Sequence, residues 1–91
     1  MKDSANCGCF TAYKKEIPSV VLTIFDEATN KLTGVAYEPL NYASQVVNGT
    51  NYSFFCNASP LYPESFEYAV LIEIYKPLEA DPYITKIQKV H

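Results

Sequence analysis

Between Val21 and Leu32 the apolar residues Val21, Ile24, Phe25, Ala28 and Leu32 recur at helical spacing, and beyond Gly34 that period does not return. One amphipathic helix followed only by strands is the fold this break dictates. Pro18 is a favourable first helical residue, Asp26, Glu27, Asn30 and Lys31 fill most of the polar side, and Thr33-Gly34 supplies a stop. The helix is expected from about Pro18 to Leu32.

The rest of the chain is rich in β-branched and aromatic residues and reads as strands at about 35–47, 50–58, 66–75 and 83–90. The third carries the clearest alternation, with Tyr68, Val70, Ile72 and Ile74 on one face. Pro39 cannot donate to a ladder, so the first strand should be irregular or edge-like there. Prolines and serines mark turns at 59–65 and 76–82. Asn48-Gly49 signals a two-residue hairpin turn with positive φ at both residues. A meander of hairpins can bury the apolar stripe of a single helix by curling around it, which gives an α+β domain spanning residues 1–91. Residues 1–9 read as a flexible arm, and 10–14 is a candidate extra strand before the helix.

Ninety-one residues, 48% of them hydrophobic, leave room for one modest core and no second domain. A net charge of −3, with the lysines spread along the chain, argues against nucleic acid as a partner. The strongest apolar run, Ala69 to Ile72, stops at Glu73, far short of the roughly 20 residues of a membrane span. The opening residues Met1 to Asn6 lack the apolar centre of a signal peptide. Cys7, Cys9 and Cys56 leave an odd thiol under any single pairing, and Cys7 and Cys9 are close in sequence for a bridge. Free thiols and a reducing, cytoplasmic setting are the expectation, with secretion as the alternative if a leader has been removed.

Enzymatic chemistry finds few groups. The one histidine is His91, at the end of the chain, and a set of Cys7, Cys9 and His91 lacks the paired spacing of a metal site. Glu64, Glu67 and Glu73 suit a solvated face, so neither catalytic residues nor a cofactor are expected. Asn48-Gly49-Thr50, Asn51-Tyr52-Ser53 and Asn57-Ala58-Ser59 match the glycosylation sequon. A glycan on Asn48 would obstruct the hairpin tip.

That tip carries the one specific motif. Gln45-Val46-Val47-Asn48-Gly49, continued by Thr50-Asn51-Tyr52, resembles the first inhibitory loop of the cystatin superfamily, and most closely that of the disulfide-free stefins and plant cystatins. The resemblance implies a cystatin-like fold, one helix wrapped by a four- to five-stranded antiparallel sheet. It also implies reversible, non-covalent, competitive inhibition of papain-like cysteine proteases, by a wedge of two hairpin loops and an N-terminal arm.

On that resemblance Val46 and Val47 offer rigid apolar surface, Gly49 a tight turn without bulk, and Gln45 support for the hairpin base; Asn48 stands at a variable position of the motif. Gly8 corresponds to the glycine of the arm, and Pro77 and Leu78 to the second loop, which lacks the tryptophan of many family members. The protease is the expected partner, with the chain acting as a monomer. A strand-exchanged dimer opened at the first hairpin is the other oligomeric form, and a non-inhibitory interaction module of the same fold is the rival function.

Overall fold

Pro18, with φ −60° and ψ 153°, is the last extended residue before helix α1 (Ser19–Thr29), in a computed structural model that describes residues 9–90. Its ring cannot donate, but its carbonyl accepts from Val21 N and Leu22 N, both at 3.0 Å, and so closes the first turn. The expected start is thus displaced by one residue. The C-terminal end comes sooner than the Thr33-Gly34 stop, because Thr29 and Asn30 are weak helix formers and the Thr29 hydroxyl donates to the Phe25 carbonyl at 2.8 Å. Leu32 lies beyond the helix and is half-buried.

Four strands follow: β1 (Val35–Val47), β2 (Gly49–Pro60), β3 (Tyr68–Lys76) and β4 (Tyr83–Lys89). They pair antiparallel in the order β1-β2-β3-β4, a meander with each strand beside its sequence neighbour. The class is α+β, one helix on a four-stranded antiparallel sheet. Alternation decides what the helix covers. Phe54, Cys56 and Ala58 of β2 and Val70, Ile72 and Ile74 of β3 are buried against Val21, Ile24 and Phe25, with Tyr68 packed at the margin. The rings of Phe25 and Phe54 meet edge to face with centroids 4.8 Å apart at the centre of this core.

Two irregularities shape the sheet. Leu40 is an extra residue in β1, since Pro39 pairs with Cys56 and Asn41 with Phe55, so the expected irregularity at Pro39 is a β-bulge one residue later. A second shift, opposite Glu73 and Ile74, leaves Thr85 of β4 as the extra residue, and its hydroxyl donates to the Glu73 carbonyl at 3.2 Å.

The segment before the helix lies along the free edge of β1. Lys14 and Tyr42 exchange two backbone hydrogen bonds at 2.8 and 3.0 Å, and Thr11 N donates to Ser44 O at 2.8 Å. The expected strand at 10–14 is reduced to a single bridge because the Ser44 N–H is taken by the Thr11 hydroxyl, at 3.1 Å, and not by a carbonyl. Tyr13, next to the bridge, reaches over the sheet face opposite the helix and shares a 2.7 Å hydrogen bond with Ser53. Ser53 and its register partner Ala43 are sealed from solvent on that face.

Candidate functional site

The register brings two hairpin loops to one end of the sheet. Val47 pairs with Gly49 at the tip of the β1–β2 hairpin, and Thr50, the next residue, pairs with Lys76, from which the β3–β4 loop departs. The segment before the helix runs antiparallel to β1, so its chain from Lys14 through Thr11 climbs towards the same end. The β2–β3 connection lies at the other end, below Pro60 and Tyr68.

The tip of the first hairpin is tighter than a two-residue turn. Asn48 is the one residue between the strands, and its φ is not positive; Gly49 alone takes the left-handed side, at φ 107°. The expectation of positive φ at both residues is corrected by this geometry. Gly49 is buried, and a Cβ built on it would stand 2.6 Å from the Lys76 carbonyl oxygen and 2.8 Å from the Tyr75 hydroxyl. Its conformation and its surroundings each demand glycine. Gly49 therefore shapes the loop and offers no contact surface of its own.

The exposed apolar surface belongs to its neighbours. Val46 is 73% exposed, Val47 nearly half exposed, and both are β-branched and held in a strand. Below them the Asn51 side-chain amide donates to Gln45 Oε1 at 2.8 Å, tying directly opposed residues across the hairpin base. From β3 the Tyr75 hydroxyl donates to the Asn48 carbonyl, bracing the tip from a strand 27 residues away in sequence. Sequence reasoning missed Tyr75 because no local pattern links it to the turn.

Tyr75 also connects the two loops. Its ring meets Tyr83, the first residue of β4, edge to face at 5.7 Å, and the backbone of its neighbour Lys76 walls the Gly49 position. The Lys76 ammonium turns into its own loop and donates to the carbonyls of Pro77 and Ala80 at 2.9 and 2.8 Å, a chelate that sets the loop's shape. Leu78 stands out of that loop, 71% exposed, and its neighbour Pro77 is half-buried.

Gly8 lies outside the described residues. Cys9 is disulfide-bonded, whereas Cys56 is free and fully buried. The expectation of free thiols thus holds for Cys56 and fails for Cys9. Position separates the two: Cys56 is enclosed by the core, while Cys9 sits on an exposed segment. With Cys9 in a disulfide, a reducing compartment no longer follows from the cysteines. Burial pushes the Cys56 thiol up to about 12, so it is a packing residue and not a nucleophile.

The opposite end has an apolar surface where the prolines and serines of the sequence signal only a turn. Leu61 and Tyr62 are about two-thirds exposed there, and Phe66 is 88% exposed. Beside them Glu67 accepts from Asn57 and Ser59 at 3.1 and 2.9 Å, and these bonds hold its carboxyl below the usual range. Among the described residues no cluster of His, Cys, Asp or Glu could hold a metal ion, and no helix is long and apolar enough to cross a membrane. No family model matches the chain, and no curated protein matches it.

Proposed function

We propose that this chain is a cystatin-like, reversible and non-covalent inhibitor of papain-like cysteine proteases. The observation that carries the reading is the pairing of an exposed Val46-Val47 tip with an exposed Leu78 loop at one end of the sheet, joined through Tyr75. Two braced apolar projections, with the segment from Lys14 to Thr11 rising beside them, fit a narrow apolar cleft and need no reactive group. Rigid side chains lose little freedom on binding, which favours affinity without chemistry. The cleft is filled and substrate is excluded, so inhibition is competitive. An interface of ordinary inhibitor size, on the order of 800 Å² per partner, is expected.

The test is a titration of papain with the purified monomer, since a strand-exchanged dimer would open the hairpin. Competitive inhibition is expected, and no inhibition at tens of micromolar would sink the proposal. Val46→Asp and Val47→Asp should each weaken it by more than about tenfold, roughly 1.4 kcal/mol, with unchanged unfolding midpoints. Leu78→Asp should weaken it less.

The apolar loop of Leu61, Tyr62 and Phe66 favours the second reading, an interaction module without inhibitory activity, because it lies at the end far from the two braced loops. A papain titration without inhibition, together with a folded monomer, would leave that reading in place.

A further inference from the structure

Asn48 alone among the asparagines of the chain is followed by glycine. The amide nitrogen of a glycine is the least obstructed of any backbone nucleophile towards the preceding side chain. The fold then separates Asn48 from the other two sequon asparagines. Asn51 spends its side-chain amide on Gln45 at 2.8 Å, and Asn57 spends its own on Glu67 at 3.1 Å. Asn48 is exposed, and its carboxamide has no hydrogen-bond partner among the described residues.

The backbone of the same residue is engaged in the opposite sense. The Tyr75 hydroxyl donates to the Asn48 carbonyl, the oxygen of the very peptide whose nitrogen belongs to Gly49. When that nitrogen loses its proton, the charge is shared with this oxygen, so a donor fixed there stabilises the reactive form. A loose carboxamide, a following nitrogen that carries no side chain beside it and a donor on the shared peptide together favour ring closure, although Gly49 itself is buried.

We infer that Asn48-Gly49 is a self-modification site, at which the folded protein deamidates with assistance from Tyr75. Hydroxide removes the Gly49 amide proton, and the nitrogen attacks Asn48 Cγ. A bond forms between the Gly49 nitrogen and Cγ, the bond from Cγ to Nδ2 breaks, and ammonia leaves with a proton from water. The product is a five-membered succinimide. Water then adds at either ring carbonyl: opening at the side-chain carbon gives aspartate, and opening at the main-chain carbon gives isoaspartate. No oxidant or metal is needed.

Both products alter the tip. Aspartate puts a negative charge beside exposed Val46 and Val47, and isoaspartate also inserts a carbon into the main chain between the register partners Val47 and Gly49. Either change spoils an apolar, closely braced loop. The covalent step itself does not depend on what the loop binds.

The experiment incubates the folded protein at mildly alkaline pH and follows intact mass, fragment mass spectra and labelling by an isoaspartyl-directed carboxyl methyltransferase. A gain of about 1 Da confined to Asn48, with methyltransferase labelling there and none at Asn51 or Asn57, is expected. Asn48→Ala, which keeps an ordinary φ, should abolish both signals. Tyr75→Phe should slow the gain even though it loosens the tip, whereas a merely structural brace would speed it when removed. An unmodified Asn48, or a Tyr75→Phe variant that reacts as fast or faster, overturns the inference. So does a folded protein that reacts more than about tenfold slower than the same chain in urea, which would mean that local opening and not the folded geometry admits the reaction.

Discussion

The Tyr75 hydroxyl donates to the Asn48 carbonyl, so the turn of the first hairpin is held by a strand that does not belong to it. Its ring rests at the same time against Tyr83, where β4 begins. Tyr75→Phe keeps the ring contact and removes the hydrogen bond. Unfolding free energy should fall by about 0.5–1.5 kcal/mol in urea titrations. Amide exchange at the hairpin neighbours Val47 and Thr50 should accelerate while exchange at Ile72 stays slow.

The two glycines with positive φ should answer differently to alanine. Gly34 has φ 87° with nothing within 4 Å of where a Cβ would stand, whereas Gly49 has φ 107° and meets the Lys76 carbonyl and the Tyr75 ring. Gly34→Ala should cost about 1–2 kcal/mol, the backbone term alone. Gly49→Ala adds a steric term and should cost about 2–4 kcal/mol, read as a larger shift of the urea midpoint. A charged residue at Gly49 would therefore report on folding before it reported on binding, and Val46 is the cleaner site for that purpose.

Tyr13 and Ser53 form the one side-chain to side-chain hydrogen bond between the segment before the helix and the sheet among the described residues. Ser53 is buried, so Tyr13→Phe leaves a hydroxyl without its partner and should cost about 1–3 kcal/mol. The double variant with Ser53→Ala removes both polar groups and should recover part of that loss. Equilibrium unfolding of the four proteins gives the coupling, expected at about 0.5–3 kcal/mol. Additive losses would show that the contact contributes nothing.

Cys56 makes alkaline pH destabilising. Its thiol is raised from 9.0 to about 12 by burial, so the folded state favours the neutral form. Below pH 9 this contribution is complete; it is lost as pH rises from about 9 towards 12, because the unfolded chain ionises first. The urea midpoint should fall across that window. Cys56→Ala should flatten the early part of the fall, leaving the tyrosines, of which Tyr37 and Tyr52 are also raised by burial, to act at higher pH. A thiol reagent at neutral pH should label Cys56 only after unfolding.

Much of this architecture is legible from local chemistry. The helix stripe of Val21, Ile24 and Phe25 and the alternation of Val70, Ile72 and Ile74 are both core, because burial follows the period of each element. The bounds of β1, 35–47, coincide with the run of β-forming residues ended by Asn48-Gly49. What local patterns do not carry is partnership across the sheet. Tyr75 bracing Asn48, Tyr13 covering Ser53 and Lys76 chelating its own loop each depend on register or loop path. The turn itself is misjudged for a similar reason: Asn48-Gly49 suits a two-residue turn in isolation, but the wall formed by Tyr75 and Lys76 selects a tighter one. Of the candidate site, the exposure of Val46, Val47 and Leu78 follows from their place in tips, while their gathering at one end follows from the meander.

The extra residue at Leu40 has a reach beyond its own position. Before it, odd-numbered residues of β1 such as Val35 and Tyr37 look towards the helix; after it, even-numbered Tyr42 does, and Val46 continues that series. The bulge is a parity switch set six residues upstream of the tip. Deleting Leu40 would either expel Tyr42 from the core or hand the sides of Val46 and Val47 to one another, so the handedness of the apolar tip is written into a residue that never approaches it.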